Sequence, residues 1–166
     1  MRVVMGKVHA RGFACRRDLL HLQGVMDQPS SPQREFASRL LERERPGENA
    51  KDRAAAAGRV YEKLSLCLAP LVGSTGVRAL LARSLVLTSG EFPFLSGSSF
   101  EHPEGAADRL RTSLQGQRPD DALRAAAALF GSFLTLLATY VGERLTAQIL
   151  RAAWPDLAAP SSKETK

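Results

Sequence analysis

The sequence predicts an all-α fold: one bundle of four to five helices around a long central helix near the carboxyl terminus, preceded by a flexible arm. Three observations predict it. Alanine and leucine dominate a composition with only 6% aromatic residues, and such side chains lose little freedom in a helix. Apolar residues recur at spacings of three and four through much of residues 50–153, which is the helical period. Capping residues, proline and glycine fall where those periodic runs begin and end.

Each element follows from local signals. Residues 1–33 have weak periodicity and several breakers, Gly6, Gly12, Gly24, Pro29 and Pro32. They read as an arm with a short helix around Arg17–Val25. Ser31, Pro32 and Glu35 then form a helix start. Phe36, Leu40 and Leu41 give that second short helix a narrow apolar face before Pro46-Gly47 ends it. Residues 1–48 are therefore expected to be a flexible basic arm, 49–156 the bundle, and 157–166 a disordered tail.

Within the bundle, Asn49 is placed to cap a helix over roughly 50–71, with Val60, Leu64, Cys67, Leu68 and Leu71 facing inward and Tyr61 widening that face. Pro70 and Gly73 close it. A third helix over about 75–90 turns Val77, Leu80, Leu81, Leu85 and Val86 inward, and Gly90 and Pro93 stop it. The connection EFPFLSGSSFEHP (91–103) places Phe92, Phe94, Leu95 and Phe100 among loop formers, so it is expected to fold back onto the core. A fourth helix spans about 104–115, with Ala107, Leu110 and Leu114 inward.

The last helix opens on Pro119, Asp120 and Asp121, favoured residues for a first turn. Its stripe runs Leu123, Ala127, Phe130, Leu134, Leu137, Val141, Leu145, Ile149, with Leu129, Phe133, Leu136 and Tyr140 on a flank. Residues 125–142 carry no charge. That length reaches the lower limit of a membrane span. Its many small residues, and the amphipathic helices available to wrap it, favour the dry centre of a soluble bundle with no membrane span. Thirty-five residues from Pro119 to Ala153 would reach about 52 Å, so the helix must break near Gly131 or Gly142 or extend onto another subunit. No repeat of solenoid period stands out.

Charge and cysteine content bound the function. The net charge is +6, and eleven basic against seven acidic side chains lie in residues 1–53. A basic arm can attract phosphate backbones, yet the interspersed acids dilute it, and Arg34, Arg39, Arg43 and Arg45 share their helix with Glu35, Glu42 and Glu44. Nucleic-acid binding through the arm is therefore not favoured. Cys15 and Cys67 form no disulfide framework, and no secretory signal fits the charged start, so a cytoplasmic location is expected. Eighteen arginines to five lysines point to GC-rich coding, as in many bacteria.

Little in the sequence suggests chemistry. His9, His21 and His102 show no i, i+4 pair for a metal, and no cofactor is expected. GSTG (73–76) lacks the lysine and preceding strand of a phosphate loop. Glu143, between Gly142 and Arg144, could be a general base only with a second group that the neighbouring sequence does not supply. It reads as the polar seam of a packed helix. The expectation is a non-enzymatic interaction or regulatory domain that self-associates through the 129–150 surface. The alternatives are nucleic-acid binding and a small-ligand sensor. The candidate interaction or pocket residues are Phe92, Phe94, Phe100, Phe133, Tyr140, Glu143 and Trp154.

Overall fold

A computed structural model of the chain describes residues 31–47, 49–96 and 105–157. Among these are five α-helices and no strand: α1 (Ser31–Glu44), α2 (Ala50–Ser89), α3 (Ala106–Gln115), α4 (Pro119–Val141) and α5 (Glu143–Ala153). A single 3₁₀ turn spans Pro93–Leu95. The fold is the all-α bundle that the periodicity predicts. The Arg17–Val25 helix, Cys15, His9, His21, His102, Phe100 and residues 158–166 lie outside the described residues.

Caps and breaks fall where local chemistry puts them. The Asn49 side chain accepts the Asp52 N–H at 2.8 Å, meeting one of the orphan donors of a helix start. α2 then runs to Gly73, whose φ of 73° and ψ of 160° break it into two limbs. Pro70, which has no N–H to donate, loosens the last turn before that break. The two helices expected over 50–71 and 75–90 are thus the two limbs of α2. The long final helix breaks in the same way at Gly142, with φ 89° and ψ 150°, while Gly131 stays buried in unbroken helix. Only glycine enters that backbone region without strain.

The two breaks belong to a larger correspondence. The first limb of α2 and the whole of α4 are each 23 residues long, and the offset of 69 residues that sets Ala50 on Pro119 also sets Gly73 on Gly142. The same offset matches Asp52 with Asp121, Ala57 with Ala126, Leu68 with Leu137, Val72 with Val141 and Leu81 with Leu150. It also matches α1 with α3, through Ala37 with Ala106 and Leu41 with Leu110, all four buried. Each half is a short helix, a 23-residue helix, a glycine break and a return helix. The main packing crosses between halves: α1 lies along α4, and α3 lies along α2. The chain holds an approximate two-fold repeat, not a solenoid.

α4 is the centre. From Ala125 to Leu134 every residue is buried, and α1, α2 and α5 cover it. Both α2 and α4 are long and apolar enough to cross a membrane by length and composition, each with a window of mean hydropathy 1.6. In α4, 67% of that window is buried in the bundle; in α2, only 28%.

Four expectations need correction. The short helix assigned to the arm is a full member of the bundle: Phe36, Ala37, Leu40 and Leu41 are buried, so the bundle reaches back at least to Ser31. Leu71 and Val86, expected inward, are exposed. Val86 sits about 140° round its helix from buried Leu81 at 100° per residue, and Leu71 belongs to the last turn before the break. Leu157, assigned to the tail, packs against the core.

The two ends of the bundle differ in chemistry. At one end Arg53 pairs with Asp120 at 2.8 Å, Arg34 with Glu91 at 2.7 Å, and Arg124 lies over the Phe92 ring. That end gathers the starts of α1, α2 and α4. α5 returns about 16 Å from Gly142 and brings Trp154 to the level of Lys63, ten residues before Gly73. Both glycine breaks therefore lie at the opposite end. No charged residue occurs between Lys63 and Arg78, or between Arg124 and Glu143.

Candidate functional site

Three places bring polar or exposed apolar groups together: a junction at Glu44, a cavity beside the α2 break, and the end of the bundle that holds both breaks.

At the junction, the Glu44 carboxylate at the end of α1 accepts a hydrogen bond from the Trp154 indole N–H at 2.8 Å and from Lys63 Nζ at 2.5 Å. The Lys63 ammonium also lies 5.5 Å from the centroid of the Trp154 ring, and Arg59 donates to the Glu44 backbone carbonyl at 3.0 Å. Burial pushes the Glu44 carboxyl upward, but the hydrogen bonds from Lys63 and Trp154 and the charges of Lys63 and Arg59 outweigh it. The carboxyl is held below its ordinary value. Nearby, Arg43 reaches Asp156 at 2.5 Å. The junction pins the end of the α5 return to α1 and α2, and every group in it has a partner, so it is a structural latch.

The cavity, of about 530 Å³, opens between the two limbs of α2 and the start of α3. Its walls include Tyr61, Ser65, Leu66 and Ala69 from the first limb, Ser74, Val77 and Arg78 from the second, and Gly105 to Asp108. Ser65 Oγ is buried with no hydrogen-bond partner. The side chain of Arg78 bonds the Thr75 hydroxyl at 3.1 Å. Two rim acids, Glu62 and Asp108, both accept from Arg111 at 2.5 Å. Burial works against the Arg111 charge, and these two carboxylates more than restore it, raising its pKa. Gly58 makes this possible: a side chain there would collide with the Arg111 guanidinium that lies across it.

The residues singled out from sequence do not converge. Phe92 is buried at the salt-bridged end, edge-on to the partly buried Phe94 with ring centroids 5.9 Å apart. Trp154 is buried at the Glu44 junction, near the other end of α1. These aromatics share no pocket, because α1 separates them. Phe133 is fully buried and faces no partner. Glu143 is exposed in the first turn of α5. Tyr140 is 73% exposed. Residues 129–134 and Leu137 are interior, and the exposed residues of 129–150 gather mainly at 139–144, so the broad contact surface expected there reduces to the region around Tyr140. Cys67 is half-buried against the core.

Among the described residues no three of His, Cys, Asp and Glu gather as metal ligands would. Spacing marks Tyr61 only as part of a buried face, and nothing in the sequence joins it with Ser65 and Arg78 as a site. Their one sequence-level signal is the break at Gly73, which folds residues thirteen positions apart onto one wall.

Comparison of the chain with protein-family models, with curated proteins and with solved structures finds no match.

Proposed function

We propose that this chain is a non-enzymatic helical interaction module that self-associates through the end of the bundle bearing the two glycine breaks. One observation carries the reading. Leu71 and Tyr140 occupy equivalent positions, each two residues before a break glycine, and both stand exposed, at 52% and 73%. Large apolar side chains left in water at matched positions favour a partner that removes them.

A second copy of the chain is the partner whose chemistry fits. A contact between identical chains about a two-fold axis requires a patch complementary to itself. This patch offers the same motif twice, a bulky exposed side chain two residues before a break glycine, so that one copy's Leu71 or Tyr140 can meet a glycine of the other. Its bulky residues are flanked by Gly73, Ser74, Thr75 and Gly142, small groups over which another copy's Leu71 and Tyr140 can seat. The charged residues next to the patch, Glu143 and Arg144, are adjacent and opposite in sign, so it carries no net charge that would select an oppositely charged partner. Nucleic-acid binding draws less support, since Arg34, Arg39, Arg43 and Arg45 each pair with a carboxylate.

Sedimentation velocity across a concentration series tests the proposal. The wild type is expected to shift from monomer to dimer with rising concentration. The double variant Leu71→Glu/Tyr140→Glu, with unchanged helical circular dichroism, should remain monomeric throughout. Val86→Glu, elsewhere on the surface, should dimerise like the wild type. A wild type that stays monomeric, or a double variant that still dimerises, overturns the reading.

A further inference from the structure

Among the described residues the cavity beside the α2 break is a second feature: it shares Ser74 of α2 with the contact end but is closed by α3 and takes nothing from α4 or α5. We propose that it binds a small amphipathic monoanion, a medium-chain carboxylate, with the carboxylate at Arg78 and the chain along Leu66, Ala69 and Val77.

Four observations lead there. Its volume of about 530 Å³ lies within the usual range of small-molecule pockets. Its cation is available: among the described residues Arg78 bonds a neutral hydroxyl and no carboxylate, while the two acids at the rim are already held by Arg111. A planar guanidinium matches the two oxygens of a carboxylate. Ser65 belongs to the wall, and its Oγ lies buried just beneath it without a partner, an unpaired hydroxyl that a turn of the side chain onto a ligand oxygen would satisfy. Finally, α3 begins beside it at Gly105, which offers no side-chain cap. The first N–H groups of that helix add donors and partial positive charge on the same side.

The remaining lining selects against other ligand classes. Leu66, Ala69, Val77, Ala106 and Ala107 give an apolar wall that a free inorganic anion leaves uncovered. Arg78 offers one guanidinium for one carboxylate, while Glu62 and Asp108 share the single Arg111, so the cavity carries no surplus positive charge for a second anionic group. The acids of the rim disfavour a dianion approaching them. A monoanion with an apolar tail uses both surfaces.

Titration of the full chain with decanoate, followed by amide NMR and by thermal unfolding, tests the assignment. Decanol supplies the tail without the charge, and inorganic phosphate the charge without the tail. Decanoate is expected to saturate at one per chain, to move the amide signals of Ser65, Arg78 and Ala106–Asp108, and to raise the unfolding midpoint. Decanol and phosphate should bind at least about tenfold more weakly, since one lost charge-assisted pair is of that order. Arg78→Gln should reduce decanoate affinity by a similar factor and leave decanol unchanged. Ala69→Leu, which fills the apolar wall, should weaken both organic ligands, and Ser65→Ala serves if that variant does not fold. Non-saturable decanoate binding, equal binding of decanoate and decanol, or an Arg78→Gln chain that binds decanoate like the wild type would overturn the proposal.

Discussion

Where the first half carries Arg59, Glu62 and Lys63 along the outside of α2, the second half carries Ala128, Gly131 and Ser132 at the equivalent places on α4, all three buried. The two helices share a length, a break and a return, yet one is lateral and the other central. Helix length and apolar content do not separate them, since both present a window of the same mean hydropathy. What separates them is the face opposite the shared core. Charged residues there commit α2 to solvent, whereas small ones let α1 and α5 close over α4. A helix is placed at the centre of a bundle by what its second face lacks.

The two returns are also tied down by one element. α1 holds the end of the α2 return through Arg34 and Glu91, and the end of α5 through Arg43 with Asp156 and Glu44 with Trp154. The first tie is a half-exposed ion pair, the kind that contributes little in water. The second is a shielded cluster, with the Glu44 side chain only 11% exposed.

Exchanging residues between the halves is the severest way to break the comparison. Ser132→Lys places the lateral helix's ammonium at the centre, where no acid awaits it. A destabilisation of about 3–5 kcal/mol or outright unfolding is expected in urea titrations, as for any unpaired buried charge. The reverse exchange, Lys63→Ser, should cost about 1 kcal/mol, the loss of a partly exposed ion pair and a cation–π contact. Similar costs for the two would mean that the halves are not differently placed. Ser132→Ala should be neutral or slightly stabilising, since Ser132 Oγ has no partner.

The glycine breaks sharpen the equivalence. Gly73→Ala and Gly142→Ala should each cost about 1–3 kcal/mol, from backbone strain alone, because nothing lies within 4 Å of the added methyl at either site. Chemical denaturation of both variants should give matching values. A large difference would show that only one break is obligatory.

The two ties to α1 give the smallest effects. Glu44→Gln is expected to cost about 1 kcal/mol at neutral pH, and Glu91→Gln less. Acid distinguishes them further. The Glu44 carboxyl is held below its ordinary value, so its contribution is complete above the unfolded-state pKa of about 4.3 and disappears as pH falls through the lower folded value. The wild type should lose this increment in that acidic range and Glu44→Gln should not, with Trp154 emission as a local reporter. Equal acid sensitivity in both would remove Glu44 as its source.

Much of the architecture was legible because it rests on local rules. Asn49, Pro119 and the inward stripes of α4 are read from spacing alone, and Gly142 was one of two named break points. Legibility fails where a residue's place depends on a neighbour from elsewhere in the chain. Phe36, Leu40 and Leu41 form so narrow a face that only α4, eighty residues on, makes α1 part of the core. Leu71 and Val86 keep the apolar character of core positions but lie beyond the reach of the packing. The candidate site was less legible still: Ser65, Arg78 and the start of α3 become neighbours only after the bend at Gly73. The aromatics that drew notice first were dispersed into separate parts of the core.

The clamp formed by α1 has a practical corollary for anyone shortening this polypeptide. A fragment starting after the Pro46–Gly47 turn would strip four dry side chains from one flank of the middle helix and leave that flank wet and adhesive. Such a fragment should collect in inclusion bodies, whereas the full-length chain keeps that flank covered by Phe36, Ala37, Leu40 and Leu41.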